Sequence, residues 1–311
     1  FDTHVEGLCR EFYAPHMGRP GLAPGRYFRL LLVGYFEGIS SERGIAWRAA
    51  DSLAIRDFLG LNLSETGPDH STISRTRRLI ASEVHGDVFT WVLKQLAVQG
   101  LVKGKTIAID ATTLEANAAM RSIVNRETGE GYEEFLKRIA EASGVKTPTR
   151  AALARFDRKR KRKASNAEWA SPSDPDARIT RMKDGRTHLA HKAEHAVDAD
   201  SGALVAILLH PADCGDTETV DHTLAEAVQQ LDAAIRAEGS ETEAEAPAEL
   251  VADKGYHSDG SLARIAEAGV RSYISEPDRG TRRWHGDTDR RDLCYANRRR
   301  SGGARGQRLH R

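Results

Sequence analysis

The chain has 311 residues, 40% apolar and 29% charged, a balance that builds a core within a polar surface and allows one large domain or two ordinary ones. No apolar run approaches the roughly 18–20 residues that a membrane-spanning helix needs, and no charged-then-apolar signal segment opens the sequence, so no membrane partner is expected. The three cysteines, Cys9, Cys214 and Cys294, stand far apart with no CxxC pair; this argues against a disulfide scaffold or a cysteine zinc cluster and suits a reducing cytoplasm. The net charge of +1 hides a segregation of basic residues into a few stretches. The first residue is Phe1 and not Met, so a start further upstream is expected.

Residues 1–100 predict short helices joined by brief turns, the layout of a helix-turn-helix module. In "PGRYFRLLLVGYFEGISSERGIAWRAA" the apolar residues fall near helical spacing, and Pro24 sits where a helix can begin. Gly67-Pro68 marks a turn, followed by a helix with Asp69 or Ser71 as its N-cap. From Lys105 the texture changes. "KTIAID" is a compact β-branched run ending in Asp110. Residues 121–187 read as a polar insertion, with seven basic residues against one acid in Arg155–Lys163. Two apolar stretches around Asp200-Ser201-Gly202 predict a β-hairpin. Residues 216–238 predict an amphipathic helix with an acidic first turn, followed by an acidic loop at 239–248. A strand ending at Asp253, a helix at about 259–268 and the strand "VRSYIS" complete a mixed sheet with helices packed on it. From Arg279 to Arg311 the sequence is arginine-dense, without apolar periodicity, and no core element is expected there.

Asp110 and Asp253 each end a predicted strand, where one sheet can bring together side chains distant in sequence. Two carboxylates meeting there would hold hard divalent cations, Mg²⁺ or Mn²⁺, through oxygen. Such a pair is suited to activating water or a hydroxyl against a phosphodiester. The plainer alternative is that both aspartates cap strand-to-loop turns. Basic side chains extend the first reading to nucleic acid. Arg75, Arg77 and Arg78 share a predicted helix with Ser71, Thr72 and Ser74 near its start; Lys159, Arg160 and Lys161 lie in the basic run. All are candidates for phosphate contacts, and the run reads equally well as a solvated segment. His188, His191 and His195 would share a face on a helix and suggest zinc, but the flanking pattern predicts a strand, which separates His188 from the other two. His257, four residues beyond Asp253, is a candidate for substrate contact or for closing the turn.

Five segments together resemble a bacterial insertion-sequence transposase of the DDE type: "GRYFRLLLVGYFEGISSERGIAWRAADSLAIRDFLGL", "PDHSTISRTR", "IAIDATTLEANAAM", "MKDGRTHLAHKAEHAVD" and "LVADKGYHS". They occur in that family's order and span essentially the whole chain. The resemblance implies a fold of mixed α+β or α/β class. A helical N-terminal DNA-binding domain (1–100) would precede an RNase-H-like catalytic domain (101–278) that carries the 121–187 insertion. It implies cutting and rejoining of DNA with Mg²⁺ or Mn²⁺, double-stranded DNA as partner at transposon ends and target, a homodimer in the synaptic complex, and a cytoplasmic, nucleoid-associated location. Asp110 matches the first catalytic aspartate and metal ligand, and Asp253 the second. The family's catalytic glutamate lies on a helix beyond an arginine-rich stretch like "YANRRRSGGARGQRLHR", so it is expected past Arg311, and impaired activity with it. Glu276 sits in the wrong context to replace it, and Asp287, Asp289 and Asp292 suit the role still less. Two other classes stay open: a non-catalytic DNA-binding protein, and a metal-dependent phosphodiesterase acting on small substrates.

Overall fold

In the computed structural model, which describes residues 1–14, 21–145, 148–161, 164–235, 247–278, 280, 282, 284 and 286–310, the chain falls into two units, Phe1–Val92 and Leu93–Arg311. The first unit is helical: α1 (Asp2–Leu8), α2 (Pro24–Phe36), α3 (Glu42–Asp51), α4 (Leu53–Phe58), α5 (His70–Leu79) and α6 (Ser82–Val98), the division falling within α6. Pro24 occupies the first turn of α2, where its missing N–H costs nothing. Side chains of Ser41, Ser52 and Asp69 accept from the first free N–H groups of α3, α4 and α5, each cap contributing about 1 kcal/mol. Tyr27 and Leu30 of α2 are buried with Ile45 and Ala49 of α3 and Ile73 of α5, so each helix has one apolar face turned to a shared core.

The second unit is built on a six-stranded mixed sheet. Its strands are β1 (Thr106–Glu115), β4 (Arg178–Arg181), β5 (Thr187–Asp198), β6 (Leu204–Pro211), β7 (Glu249–Ala252) and β8 (Arg271–Ile274). The order is β4-β5-β1-β7-β8, with β6 also pairing β5. β1 runs antiparallel to β5 and parallel to β7, and β7 is parallel to β8. The parallel strands need crossovers, which α9 (Asp216–Ile235) and α10 (Asp259–Glu267) supply. All four residues of β7 are buried, as a central parallel strand requires. The expected hairpin is β5–β6; most of the acidic loop expected at 239–248 lies outside the described residues.

Two expectations need correcting. The insertion is not polar throughout. It forms α7 (Tyr132–Ala142), α8 (Arg150–Lys159) and a small ladder of β2 (Val124–Asn125) with β3 (Trp169–Ala170). Ile123, Leu136, Ala140, Leu153 and Trp169 are buried there, and Trp169 packs edge-on against Tyr132 and Phe135 at 5.0 and 5.1 Å between ring centres. Nor does the arginine-rich end lack core elements. It forms α11 (Thr288–Gly302) and α12 (Ala304–Leu309). The buried Asn297 amide donates to the Ile274 carbonyl (2.8 Å) and accepts its N–H (3.0 Å), and Arg300 Nε donates to the Ser272 carbonyl (2.9 Å). Polar side chains, and not an apolar stripe, thus fasten α11 to β8, which is why hydrophobic periodicity does not reveal it.

Candidate active site

Asp110 lies inside β1 and not at its end, because β5 continues to pair with β1 as far as Glu115. The pairing of β1 with β7, however, stops at Ile109 and Ala252. Asp110 and Asp253 are therefore the first residues beyond the last rung between two parallel strands, which lie about 4.8 Å apart. Both are exposed, and both line one cavity of about 630 Å³. Each uses Oδ1 to hold its local backbone: Ala111 N–H donates to Asp110 (2.9 Å), and Gly255 N–H to Asp253 (2.7 Å). Asp253 thereby caps the single helical turn Lys254–Tyr256, so turn-capping and the cavity position coexist.

A third carboxylate lines the same cavity: Asp216, the first residue of α9. Sequence reasoning passed over it, because an acid in a first helical turn reads as a complement to the helix dipole. Its Oδ1 is 2.7 Å from the ammonium of Lys192. Gly255 lets Asp216 approach: a Cβ there would lie 2.4 Å from Asp216 Oδ2 and 3.0 Å from Asp253 Oδ1, so both oxygens crowd one side of this glycine.

Behind Asp216 lies a closed polar network. Lys192 Nζ donates to Thr219 Oγ1 (2.8 Å) and stands 3.3 Å from the fully buried carboxylate of Glu194. Thr219 Oγ1 and the Tyr256 hydroxyl each donate to Glu194 Oε1 at 2.8 Å, and Thr223 donates to Oε2. Burial alone pushes Glu194 up, but the three hydroxyls and Lys192 outweigh it and hold the carboxyl below its usual range. Burial, followed by the carboxylates of Glu194, Asp216 and Asp110, raises Tyr256 far above an ordinary phenol, so it remains a donor. This network fixes Lys192, and through it Asp216.

The remaining candidates fall into place around this cavity. His188, His191 and His195 lie on β5, as the strand pattern predicts. His188 pairs with Glu115 (2.6 Å) and Asp184 (2.9 Å), while His191 pairs with Asp174 (2.9 Å). His195 faces Asp110 across the β1–β5 ladder. His257 is buried beyond the turn, away from the cavity lining. Glu276 also lies off that lining and is held by Arg298 at 2.7 and 3.0 Å. Asp287 caps α11, and Asp289 and Asp292 are exposed on the same helix.

On α5, Ile73 and Thr76 face the core of the first unit, while Ser71, Arg75, Arg77 and Arg78 are exposed and Thr72 half-buried. Arg75 lies over Ser71 and Thr72, and Arg78 over Ser74, a turn earlier in each case. Arg77 forms an ion pair with Glu42 of α3 at 2.7 Å. Thr72 and Arg75 also border a concavity of about 720 Å³ with Arg26. In the basic run, Lys159 and Lys161 are exposed. Arg160 is turned inward: it donates to Tyr132 (3.0 Å) and Asp157 (3.2 Å) and lies over the Phe135 ring. Arg162 and Lys163 lie outside the described residues.

The chain thus joins a helical unit with an exposed basic helix to an α+β unit with an acidic cavity at the edge of paired parallel strands. Residues 1–79, from α1 through α5, match the family described as Transposase domain (DUF772). No curated protein matches it. Among solved structures, the Mos1 transposase paired-end complex with left transposon end aligns over 96% of this chain and 80% of that one, at 8% identity and a TM-score of 0.25. A likeness at that level decides neither fold nor function. Among the described residues, no helix is long and apolar enough to cross a membrane.

Proposed function

We propose that the chain is a DDE-type transposase that cuts and rejoins double-stranded DNA, with Asp110 and Asp253 as catalytic metal ligands. The observation that carries this reading is their position: both follow the last rung between two adjacent parallel strands and line one cavity. The mixed sheet also supports the RNase-H-like reading of the second unit. The donor set fits hard cations, because Asp110, Asp253 and Asp216 offer only carboxylate oxygen. Bound there, Mg²⁺ or Mn²⁺ would supply an activated water or 3′-hydroxyl and stabilise the leaving oxygen. Asp110 and Asp253 hold the reacting geometry, and Asp216, steadied by Lys192, offers a third oxygen. Arg75, Arg78, Ser71 and Thr72 on α5, and Lys159 and Lys161 after α8, are the side chains we assign to DNA phosphates. Arg77 is assigned less directly because Glu42 already neutralises it, and Arg160 because Asp157 does. Pairing two transposon ends calls for two copies of the chain.

The test is nicking of supercoiled plasmid with and without Mg²⁺. Asp110→Asn and Asp253→Asn should each lower the nicking rate by at least about 100-fold, as expected for loss of a metal ligand, while gel-shift affinity stays at the parental level. Variants that nick at the parental rate would overturn the assignment. A non-catalytic DNA-binding role is favoured by a separate observation, since the family match covers residues 1–79 and not the acidic cavity. Salt-sensitive binding with no metal-dependent nicking by the parent chain would select it.

A further inference from the structure

We propose that His257, Glu276 and Cys294 form a second metal site, for zinc or a similar transition-metal ion, separate from the aspartate cavity. The three side chains come from different elements: the residue closing the turn after β7, the second residue after β8, and the middle of α11. Their ligand atoms all lie within 4.8 Å of one another. His257 is 1% exposed and Cys294 0%, and none of the three lines the aspartate cavity.

The independent observation is the imidazole of His257. Both ring nitrogens are buried, and neither has a hydrogen-bond partner. Leaving a buried polar group unpaired is costly, so native proteins rarely tolerate one without a reason. A metal ion bound between the imidazole, the thiol and the carboxylate gives one of the two nitrogens a partner.

The donor chemistry separates this site from a magnesium site. Thiolate, imidazole and carboxylate together suit zinc, which accepts three protein ligands with one position left for water. Thiolate and carboxylate both oppose the ion's charge, the carboxylate while also holding Arg298, and the thiol proton leaves to solvent on binding. The neighbouring cations already have partners: Arg282 Nη1 is 2.8 Å from Asp259, and Arg298 donates to both oxygens of Glu276. Glu276 Oε1 also accepts from the Cys294 thiol at 3.6 Å, a bond that the metal replaces when the thiol proton leaves, and Oε2 accepts only from Arg298. Arg282 Nη1 also donates to Cys294 Sγ at 3.3 Å, a contact that favours thiolate once the metal binds. The ion would tie the turn that begins at Asp253 to β8 and α11, a clamp on the segment that presents one catalytic candidate.

The full chain, stripped with chelator and titrated with Co²⁺, tests this. A thiolate-to-cobalt charge-transfer band saturating at one ion per chain is expected. Cys294→Ser should abolish the band, and His257→Gln and Glu276→Gln should each weaken Co²⁺ binding by at least about 10-fold. Cys214→Ser and Asp253→Asn should leave it intact, since Cys214 and Asp253 line the other cavity. No band from the folded parent chain overturns the proposal. So does a band that survives Cys294→Ser or disappears with Cys214→Ser. Should Cys294→Ser unfold by circular dichroism, the His257→Gln titration decides alone: parental affinity rejects the site. Because the readout is metal binding and not nicking, its failure is distinguishable from failure of the transposase reading.

Discussion

Gly255 is held tightly between two carboxylates that line the acidic cavity, Asp216 and Asp253. Its φ is ordinary; the constraint is space, because a methyl group would lie 2.4 Å from Asp216 Oδ2. Gly255→Ala must therefore push Asp216 off its Lys192 partner or shift the Asp253 turn. Displacing a reacting group by about 1 Å can cost on the order of 100-fold in rate, so Mg²⁺-dependent nicking should fall by at least about 10-fold with plasmid binding unchanged. Asp216→Asn removes the charge without adding volume and should reduce nicking in the same direction. If both variants nick normally, Asp216 belongs to the scaffold and not to the reaction. Tyr256→Phe asks a different question. It deletes one of the donors to the buried Glu194 carboxylate, a charged hydrogen bond contributing roughly 1.5–3 kcal/mol, and denaturant unfolding of the second unit should show that loss.

Two helices show how different forces hold an element in place. α5 has a capped start, a core-facing side at Ile73 and Thr76, and a basic outer side. That division of faces predicts separable effects. Arg75→Ala or Arg78→Ala should each reduce the slope of log affinity against log salt by about 0.9, the release of one counterion, when DNA binding is followed by fluorescence anisotropy. Arg77→Ala should change that slope less, because its guanidinium is paired with Glu42. An unchanged slope in the Arg75 and Arg78 variants would remove α5 from the DNA-binding face. α11 is the opposite case. Its attachment depends on Asn297, whose amide serves both backbone groups of Ile274 in a buried setting. Asn297→Ala should destabilise the second unit by roughly 1–3 kcal/mol for each backbone group left unpaired, measured by urea unfolding. Asn297→Asp keeps the acceptor but loses the donor and should recover only part of it.

Across the whole molecule, what could be read from the sequence depended on whether a residue's role is local. The helices of the first unit were legible because their apolar residues recur at helical spacing and their caps are Ser and Asp. The strands leading to Asp110 and Asp253 were legible because each is a β-branched or apolar run. Asp216 was not, since the packing of α9 on the sheet and on the Lys254–Tyr256 turn brings it beside Asp253, and α11 was not, since side-chain-to-backbone bonds hold it. The small core of the insertion was hidden by the charges around Leu136, Leu153 and Trp169. Three-dimensional burial also sets how the molecule responds to acid. Glu194 and Glu249 are buried in the second unit; burial raises both, and their hydrogen-bond partners lower them further than burial raises them. Their folded-state values therefore lie below the unfolded carboxylate value of about 4.3. The stability they contribute is full above that pH and is lost as pH falls through the lower, folded-state values. His210 adds an earlier step. Burial lowers it, so the unfolded chain gains a proton first, and stability declines as pH falls below about 6.5. The first unit has lowered carboxylates only at exposed positions, Glu37, Asp69 and Glu83, where solvent screens the effect. On acidification the second unit should thus lose hydrogen-exchange protection before the first, beginning near pH 6 and steepening below pH 4, two values on the order of the unfolded pKa references. Glu194→Gln should flatten the lower step and leave the upper one. Simultaneous loss in both units, or a lower step insensitive to Glu194→Gln, would show that the buried carboxylates do not govern acid stability.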